Sequence, residues 1–251
     1  MRIESTTNPR VKEVRRLHRS RERRRVGRTI LEGPTLVAAS LDAGTVPLVL
    51  YTIAGGPPTD EAREAGTEIL AVSEAVLNAM STTAHPQDPV AVVPIPDDDE
   101  LDDRPVLALV DVSDPGNTGT LIRSATAFGW QVAIVGGVDP WSPKVLRAGM
   151  GAHFAGSVVV LDDPGRLFEE PRTTIATVVS GGDLPARMAG LQSPVLFVGN
   201  EARGLPEMLV RRCDRAMTIP MDGGFESLNA ATAGSLAMYL LRTGDGDERN
   251  A

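Results

Sequence analysis

Val106-Leu-Ala-Leu-Val-Asp-Val-Ser-Asp-Pro-Gly-Asn-Thr-Gly-Thr-Leu-Ile-Arg123 is the stretch whose reading decides the fold. Its first seven residues, apolar but for Asp111, predict a buried strand over 106–112. Gly116, Asn117 and Gly119 then turn the chain, and a helix is expected over 118–128. A strand passing through a glycine-containing turn into a helix is the βα unit of a parallel α/β sheet. In such sheets ligands gather at the carboxyl ends of the strands, where loops and helix N-termini offer backbone donors.

Two further stretches occupy equivalent places. Gly199-Asn-Glu-Ala-Arg-Gly204 follows the apolar run 195–198. Ile219-Pro-Met221 ends another run, and Glu226-Ser-Leu-Asn-Ala-Ala231 opens a helix expected over 227–242. Three polar loops arriving at one sheet edge build a single site. Each loop also has a purely local explanation. Asn117 and Arg123 fit a tight turn with a surface arginine as well as an anion site. Glu201 fits a helix-capping carboxylate ahead of Leu205-Pro206. Ser227 fits an N-cap, which places Asn229 in the first turn near the positive end of the helix dipole.

Working outward, 251 residues give room for two domains, and 42% hydrophobic with 23% charged content is that of an ordinary soluble protein. From residue 29, strands are expected over 29–31, 48–51, 68–72 and 90–93, with helices over 34–43, 60–65 and 73–80. These make a small N-terminal α/β domain, 1–93. Residues 94–104 carry three prolines counting Pro105 beside them and six carboxylates, the composition of a linker. A second α/β domain follows over 105–243, with further strands over 131–135, 157–161, 174–179 and 216–219 and helices over 143–148 and 206–212. Residues 244–251 are expected to form a flexible tail.

The net charge of -8 conceals an asymmetry. Residues 1–28 hold eleven Lys or Arg against three Glu, a net of +8 on a remainder of -16. Such a basic arm fits a polyanionic partner, because each cation placed on a phosphate releases counterions. Asn8-Pro9 is a helix start, and Val11, Val14 and Leu17 then mark one buried face. Arg10, Lys12, Arg16, Arg23 and Arg24 are the cations expected to contact RNA; a solvated helix face is the alternative. The one cysteine, Cys213, excludes an intrachain disulfide, and no Cys/His cluster has the spacing of a metal site. His18, His85 and His153 are scattered, which argues against a catalytic triad. No phosphate-binding Gly-rich loop, nucleophile elbow, membrane-spanning run or apolar signal core is present, so a cytoplasmic protein is expected.

Taken in order, the three loops resemble the SpoU (TrmH-type) branch of the SPOUT RNA methyltransferases. That family pairs an Asn…Arg motif after its first strand with a Gly-Asn-Glu loop and an Ile-Pro-Met…Ser-Leu-Asn segment. Ser5-Thr-Thr-Asn-Pro9, the run 21–25, Leu31-Glu-Gly33 and the approach to the linker over 82–93 likewise resemble the N-terminal RNA substrate-binding domain of many members. The resemblance implies a parallel α/β sheet closed by a trefoil knot, S-adenosylmethionine as cofactor, 2′-O-methylation of a ribose in RNA, and a homodimer. It assigns Gly199, Asn200, Ile219, Met221 and Leu228 to the cofactor. It assigns Arg123, Asn117, Glu201, Ser227 and Asn229 to catalysis, with Arg123 reaching the partner subunit's site, and no metal. Two positions depart from the pattern: Ala202 stands where Gly is frequent, and Arg147-Ala-Gly149 where Arg-Ala-Ser is frequent. Cys213 lies outside all three loops, which disfavours methylation at a pyrimidine carbon, a reaction that uses a cysteine nucleophile. Ribosomal RNA is the expected substrate; tRNA, or a catalytically silent RNA-binding or ribosome-assembly factor, is the alternative.

Overall fold

The computed structural model describes residues 2–97, 100–169, 171–188, 190–222 and 227–242. The expected tail over 244–251 and Glu226 of the third loop lie outside the described residues. The chain divides into two compact units, Met1–Asp97 with Asp139–Ala155, and Asp98–Val138 with Gly156–Ala251.

In the first unit, β1 (Arg2–Ile3), α1 (Pro9–Arg16), α2 (Ser20–Val26), β2 (Arg28–Glu32), α3 (Pro34–Asp42), β3 (Val49–Thr52), α4 (Pro57–Glu64), β4 (Glu68–Val72), α5 (Glu74–Met80) and β5 (Val90–Pro94) follow one another. The strands form a mixed sheet of order β1-β4-β3-β5-β2. Asn8 caps α1 by accepting the Arg10 N–H at 2.9 Å, and Pro9 occupies the first turn, as expected. The basic segment then breaks into two helices. Arg19 is extended, and the His18 imidazole is tied to the Met80 carbonyl at 2.8 Å. Gly27, at φ 61, ends α2 with the left-handed cap that glycine adopts without a Cβ penalty. Val11, Val14 and Leu17 pack onto Ile30, Tyr51, Val76 and Val92, so the predicted apolar face is the buried one.

Residues 139–155 pack into this unit, although the sequence reading places them inside 105–243. They carry two short helices, Pro143–Ala148 and Ala152–Ala155. Buried Glu32 accepts hydrogen bonds from the Ser81 hydroxyl (2.5 Å), the Thr82 N–H (3.0 Å) and the Thr82 hydroxyl (2.6 Å), and pairs with Arg147 at 3.3 Å. The Thr29 hydroxyl donates to the Trp141 carbonyl at 2.6 Å. His153 lies against Trp141, and burial pushes its pKa down to about 4, so it is neutral at physiological pH.

The second unit holds β6 (Val106–Val110), α6 (Pro115–Ala127), β7 (Gln131–Val135), β8 (Val158–Leu161), β9 (Thr174–Thr177), β10 (Val195–Val198), α7 (Glu207–Arg212), β11 (Arg215–Met217) and α8 (Ala230–Arg242). All six strands are parallel, in the order β11-β9-β10-β6-β7-β8. Every residue of β6, β7 and β10 is buried, the signature of strands covered on both faces. From β6 the chain adds β7 and β8 on one side, then returns to build β9 and β10 on the other. The strand order therefore reverses between β6 and β10, and the crevice above that reversal is where ligands bind in open α/β sheets. The part of the expected linker at 100–104 is held rather than free: buried Gln131 donates to the carbonyls of Asp102 and Arg104 at 2.7 and 2.8 Å.

Candidate active site

The loops after β6 and β10 meet at that crevice through Glu201. One oxygen of its carboxylate accepts the Ser113 N–H (3.2 Å) and hydroxyl (3.0 Å). The other accepts the Asp114 N–H (3.0 Å) and the Asn117 side-chain amide (3.1 Å). Glu201 is exposed; the desolvation it does undergo by itself raises the pKa, but the bonds from Asn117 and from backbone N–H groups outweigh it and hold the group at about 2. Glu201 is thus a fixed anion that only accepts hydrogen bonds, and the helix-capping alternative does not describe it.

Asn117 passes the connection on. With its amide nitrogen committed to Glu201, its carbonyl oxygen accepts from the Asn229 amide at 2.9 Å. Asn229 in turn accepts the N–H groups of Ala231 (2.8 Å) and Thr232 (3.2 Å), which makes it the cap of α8. The expectation that Ser227 caps this helix is corrected: the helix starts at Ala230, and Asn229 is the residue with an oxygen in reach of its first free N–H groups. The start of α6 is corrected in the same way. Asp114 caps it by accepting the Asn117 N–H at 2.8 Å, and Pro115 stands at the first position. Asp followed by Pro was a legible start signal three residues ahead of the one expected.

Beside this relay lies a cavity of about 390 Å³. Its walls are apolar at Val178, Val198, Met217, Ile219, Met221 and Leu228, and polar along the backbone of 199–204. Gly199, Asn200, Ile219, Met221 and Leu228, the residues assigned to a cofactor, all line it, together with Glu201 and Ser227. Asn200 keeps the 199–204 loop closed. Its side-chain oxygen accepts the N–H groups of Ala202 (3.0 Å) and Arg203 (3.1 Å), and its amide donates to the Asp111 carbonyl (2.9 Å). Asn200 and Gly204 also exchange backbone hydrogen bonds of 3.2 and 2.8 Å. A Cβ at Gly199 would collide with the backbone of Gly204 and Leu205, so the turn requires glycine there.

Arg123 stands apart. It is exposed on α6 and makes no hydrogen bond or ion pair with any described residue. Ser113 and Asp114, which the sequence reading did not single out, prove to be partners of Glu201. Asp114 had its Asp-Pro signal, whereas Ser113 had none. Cys213 carries no nucleophile at neutral pH, because burial, with Asp214 beside it, pushes its thiol up to about 11.

Of the cations expected to contact RNA, Lys12, Arg16 and Arg24 are exposed, and Arg10 is exposed but paired with Glu68 at 2.6 Å. Arg23 is a correction. It is 2% exposed, donates through Nε (3.0 Å) and Nη2 (2.5 Å) to the Asp139 carboxylate, and gives Nη1 to the Leu17 carbonyl at 2.7 Å. A guanidinium buried inside the protein and bonded there to Asp139 and Leu17 is not offered to phosphate. Arg23→Ala leaves the largely buried Asp139 carboxylate without its ion-pair partner, and is expected to cost about 3 kcal/mol in urea unfolding. Arg24→Ala should leave stability within about 0.5 kcal/mol. Equal stability of the two variants would refute a structural role for Arg23.

Comparison with known proteins agrees with this geometry. Residues 104–239 match the family model for the SpoU rRNA methylase family, and residues 8–91 match the MRM3-like substrate binding domain. The chain is 33% identical over 246 residues to the 23S rRNA (guanosine(2553)-2′-O)-methyltransferase RlmP of Bacillus subtilis, covering 96% of this chain and 98% of that one. An AdoMet-bound rRNA methyltransferase from Sinorhizobium meliloti superposes with a TM-score of 0.84 at 30% identity, over 97% of each chain. The SpoU methyltransferase AviRb of Streptomyces viridochromogenes, in complex with the cofactor AdoMet, does so at 0.85 and 26%, over 96% of this chain and 100% of its own. A site built by the loops after β6 and β10, on a chain matched over nearly its whole length, leaves one assignment: this protein belongs to the SpoU rRNA methylase family.

Proposed function

We propose that this protein transfers a methyl group from S-adenosylmethionine to a ribose 2′-hydroxyl of ribosomal RNA. The observation that carries the reading is the relay Glu201–Asn117–Asn229, which ties all three loops together at the rim of the 390 Å³ cavity. That cavity is of small-molecule size. Its apolar walls suit an adenosine, and the polar backbone of 199–204 suits the groups at its ends. Gly199, Asn200, Ile219, Met221 and Leu228 would hold the cofactor, which supplies a methyl group already activated on a sulfonium. What remains for the protein is alignment of the hydroxyl and help with loss of its proton. Arg123 stabilises the negative charge that develops on the ribose oxygen, and Ser227 positions or relays the proton. Asn117 and Asn229 have fixed amide orientations, and Glu201 fixes them as an anion throughout.

A homodimer with Arg123 serving the partner subunit's site is part of the proposal. Its support is the surface formed by α6 and α8, which touch through a Ser124–Ser235 hydrogen bond of 2.8 Å and the rings of Phe128 and Tyr239. Arg123 is exposed on α6, and on α8 Leu236 is 41% and Tyr239 50% exposed. The family's trefoil knot, the assignment of 1–93 to RNA binding and of 105–243 to catalysis, and a cytoplasmic location belong to the same proposal. Among the described residues no helix is long and apolar enough to cross a membrane.

Calorimetric titration with S-adenosylmethionine tests the cofactor site. The wild-type protein should bind one equivalent per chain, and Gly199→Ala should lose at least about tenfold in affinity, because the loop must open to admit the methyl. Absence of binding to the wild type favours a silent RNA-binding factor on this fold.

A further inference from the structure

A second cavity, of about 270 Å³, opens in the first unit between the α1–α2 pair and the sheet. Its floor is apolar. Val14, Leu17, Tyr51 and Val92 are each no more than 7% exposed, with half-buried Val26 and Val49 beside them and Leu48, 44% exposed, at the mouth. Its rim is charged, with Arg16, Arg25 and Arg28 facing Glu13 and Glu22. Arg25 is spent on Glu22 at 2.9 Å. Arg16 and Arg28 are exposed, and their side chains make no hydrogen bond or ion pair with any described residue. The same holds for the Glu13 carboxylate.

We propose that this slot receives one unpaired nucleobase of the RNA substrate, with guanine as the preferred base. The inference rests on the RNA substrate of the proposed function and adds where and how that RNA is read. The apolar surface that the slot does leave open, at Leu48 and half-buried Val26 and Val49, is covered by the flat face of a base, the way folded RNA presents unstacked nucleotides to proteins. Arg16 and Arg28, without a hydrogen bond or ion pair to any described residue, supply planar donors at the rim for the adjoining phosphates. A free carboxylate beside an apolar floor selects an edge rich in donors. Guanine presents N1–H and N2–H side by side to Glu13, whereas uracil presents a single N–H. A protein partner is the rival occupant, but an acidic apolar peptide would bring its carboxylates against Glu13 and Glu22.

The test uses the full chain with methyl-labelled Leu and Val, titrated with 5′-GMP, 5′-UMP, inorganic phosphate and a short acidic peptide, and followed by NMR. The methyls of Val14, Leu17, Leu48, Val49 and Val92 should shift saturably with 5′-GMP, about tenfold more tightly than with 5′-UMP. They should not move with phosphate. Leu48→Trp, an exposed position that fills the mouth, should abolish the shifts, and Glu13→Gln should erase the difference between the two nucleotides. No shift with 5′-GMP overturns the proposal, as do equal shifts with phosphate, equal affinity for 5′-UMP, or a response to the peptide alone. The titration needs neither S-adenosylmethionine nor turnover, so its failure leaves the methyl-transfer reading standing, and failure of methyl transfer is read in a separate assay.

Discussion

Arg123→Ala should lower the rate of methyl transfer by at least about 100-fold while leaving affinity for S-adenosylmethionine within about twofold. The magnitude is that of removing one donor aimed at a developing oxyanion. The selectivity follows from position. Arg123 is absent from the lining of the 390 Å³ cavity, and among the described residues it makes no bond whose loss would disturb α6. Its removal should therefore change unfolding stability by no more than about 0.5 kcal/mol. Single-turnover transfer, calorimetric titration and urea unfolding on the same preparation separate these quantities. If Arg123 serves the partner's site, mixing Arg123→Ala chains with chains disabled at Ser227 restores transfer in the hybrid dimer. Unchanged turnover in the single variant removes Arg123 from the chemistry.

Glu201→Gln is the second large effect, and it arises for a different reason. Both carboxylate oxygens accept hydrogen bonds, four in all, from Ser113, Asp114 and Asn117. An amide keeps the shape but turns one acceptor into a donor facing donors, so one side of the clamp must open. Because Asn117 in turn orients Asn229, the misalignment spreads to the third loop. The rate of transfer should fall by about 100-fold, a loss typical of small displacements at a reacting centre. Stability should fall by only about 1 kcal/mol, since the carboxylate is partly solvated.

The pH dependence fixes the sign of the same interaction. The folded-state pKa of Glu201, about 2, lies below its ordinary value of 4.5. Its stabilising contribution is therefore complete above about pH 4.5 and disappears as pH falls toward 2. Wild-type stability should lose a component across that window that Glu201→Gln lacks. The pH profile of transfer should carry no limb from Glu201 between pH 4 and 9. A limb that disappears in Glu201→Gln would make this residue an acid or base instead of a clamp.

The legibility of this site in the sequence followed the range of the interactions. The strands at 131–135 and 195–198 were readable to the residue, because buried parallel strands are short apolar runs. The residues that the motif order assigns to the cofactor, Gly199, Asn200, Ile219, Met221 and Leu228, do share one cavity. Three features had no local trace. The bonds from Ser113 and Asp114 to Glu201 depend on β6 lying beside β10, strands nearly ninety residues apart. The burial of Arg23 depends on Asp139, 116 residues away, and in sequence Arg23 is one more cation in a basic run. The packing of 139–155 into the first unit is invisible to periodicity, which predicts elements and not their neighbours. Where the sequence did carry a signal, at Asn229, the nearby Ser227 offered the same capping chemistry and hid it.

The most direct measurement is transfer of labelled methyl from S-adenosylmethionine to separately purified ribosomal RNA, intact ribosomal subunits and tRNA, followed by digestion to nucleosides. The account predicts label in a 2′-O-methylated nucleoside from ribosomal RNA or subunits, and its loss with Arg123→Ala. Label confined to tRNA would transfer the activity to another substrate. Label on a base would contradict the chemistry assigned to Arg123 and Ser227, and no label in any RNA despite bound cofactor would contradict the proposed ribosomal substrate.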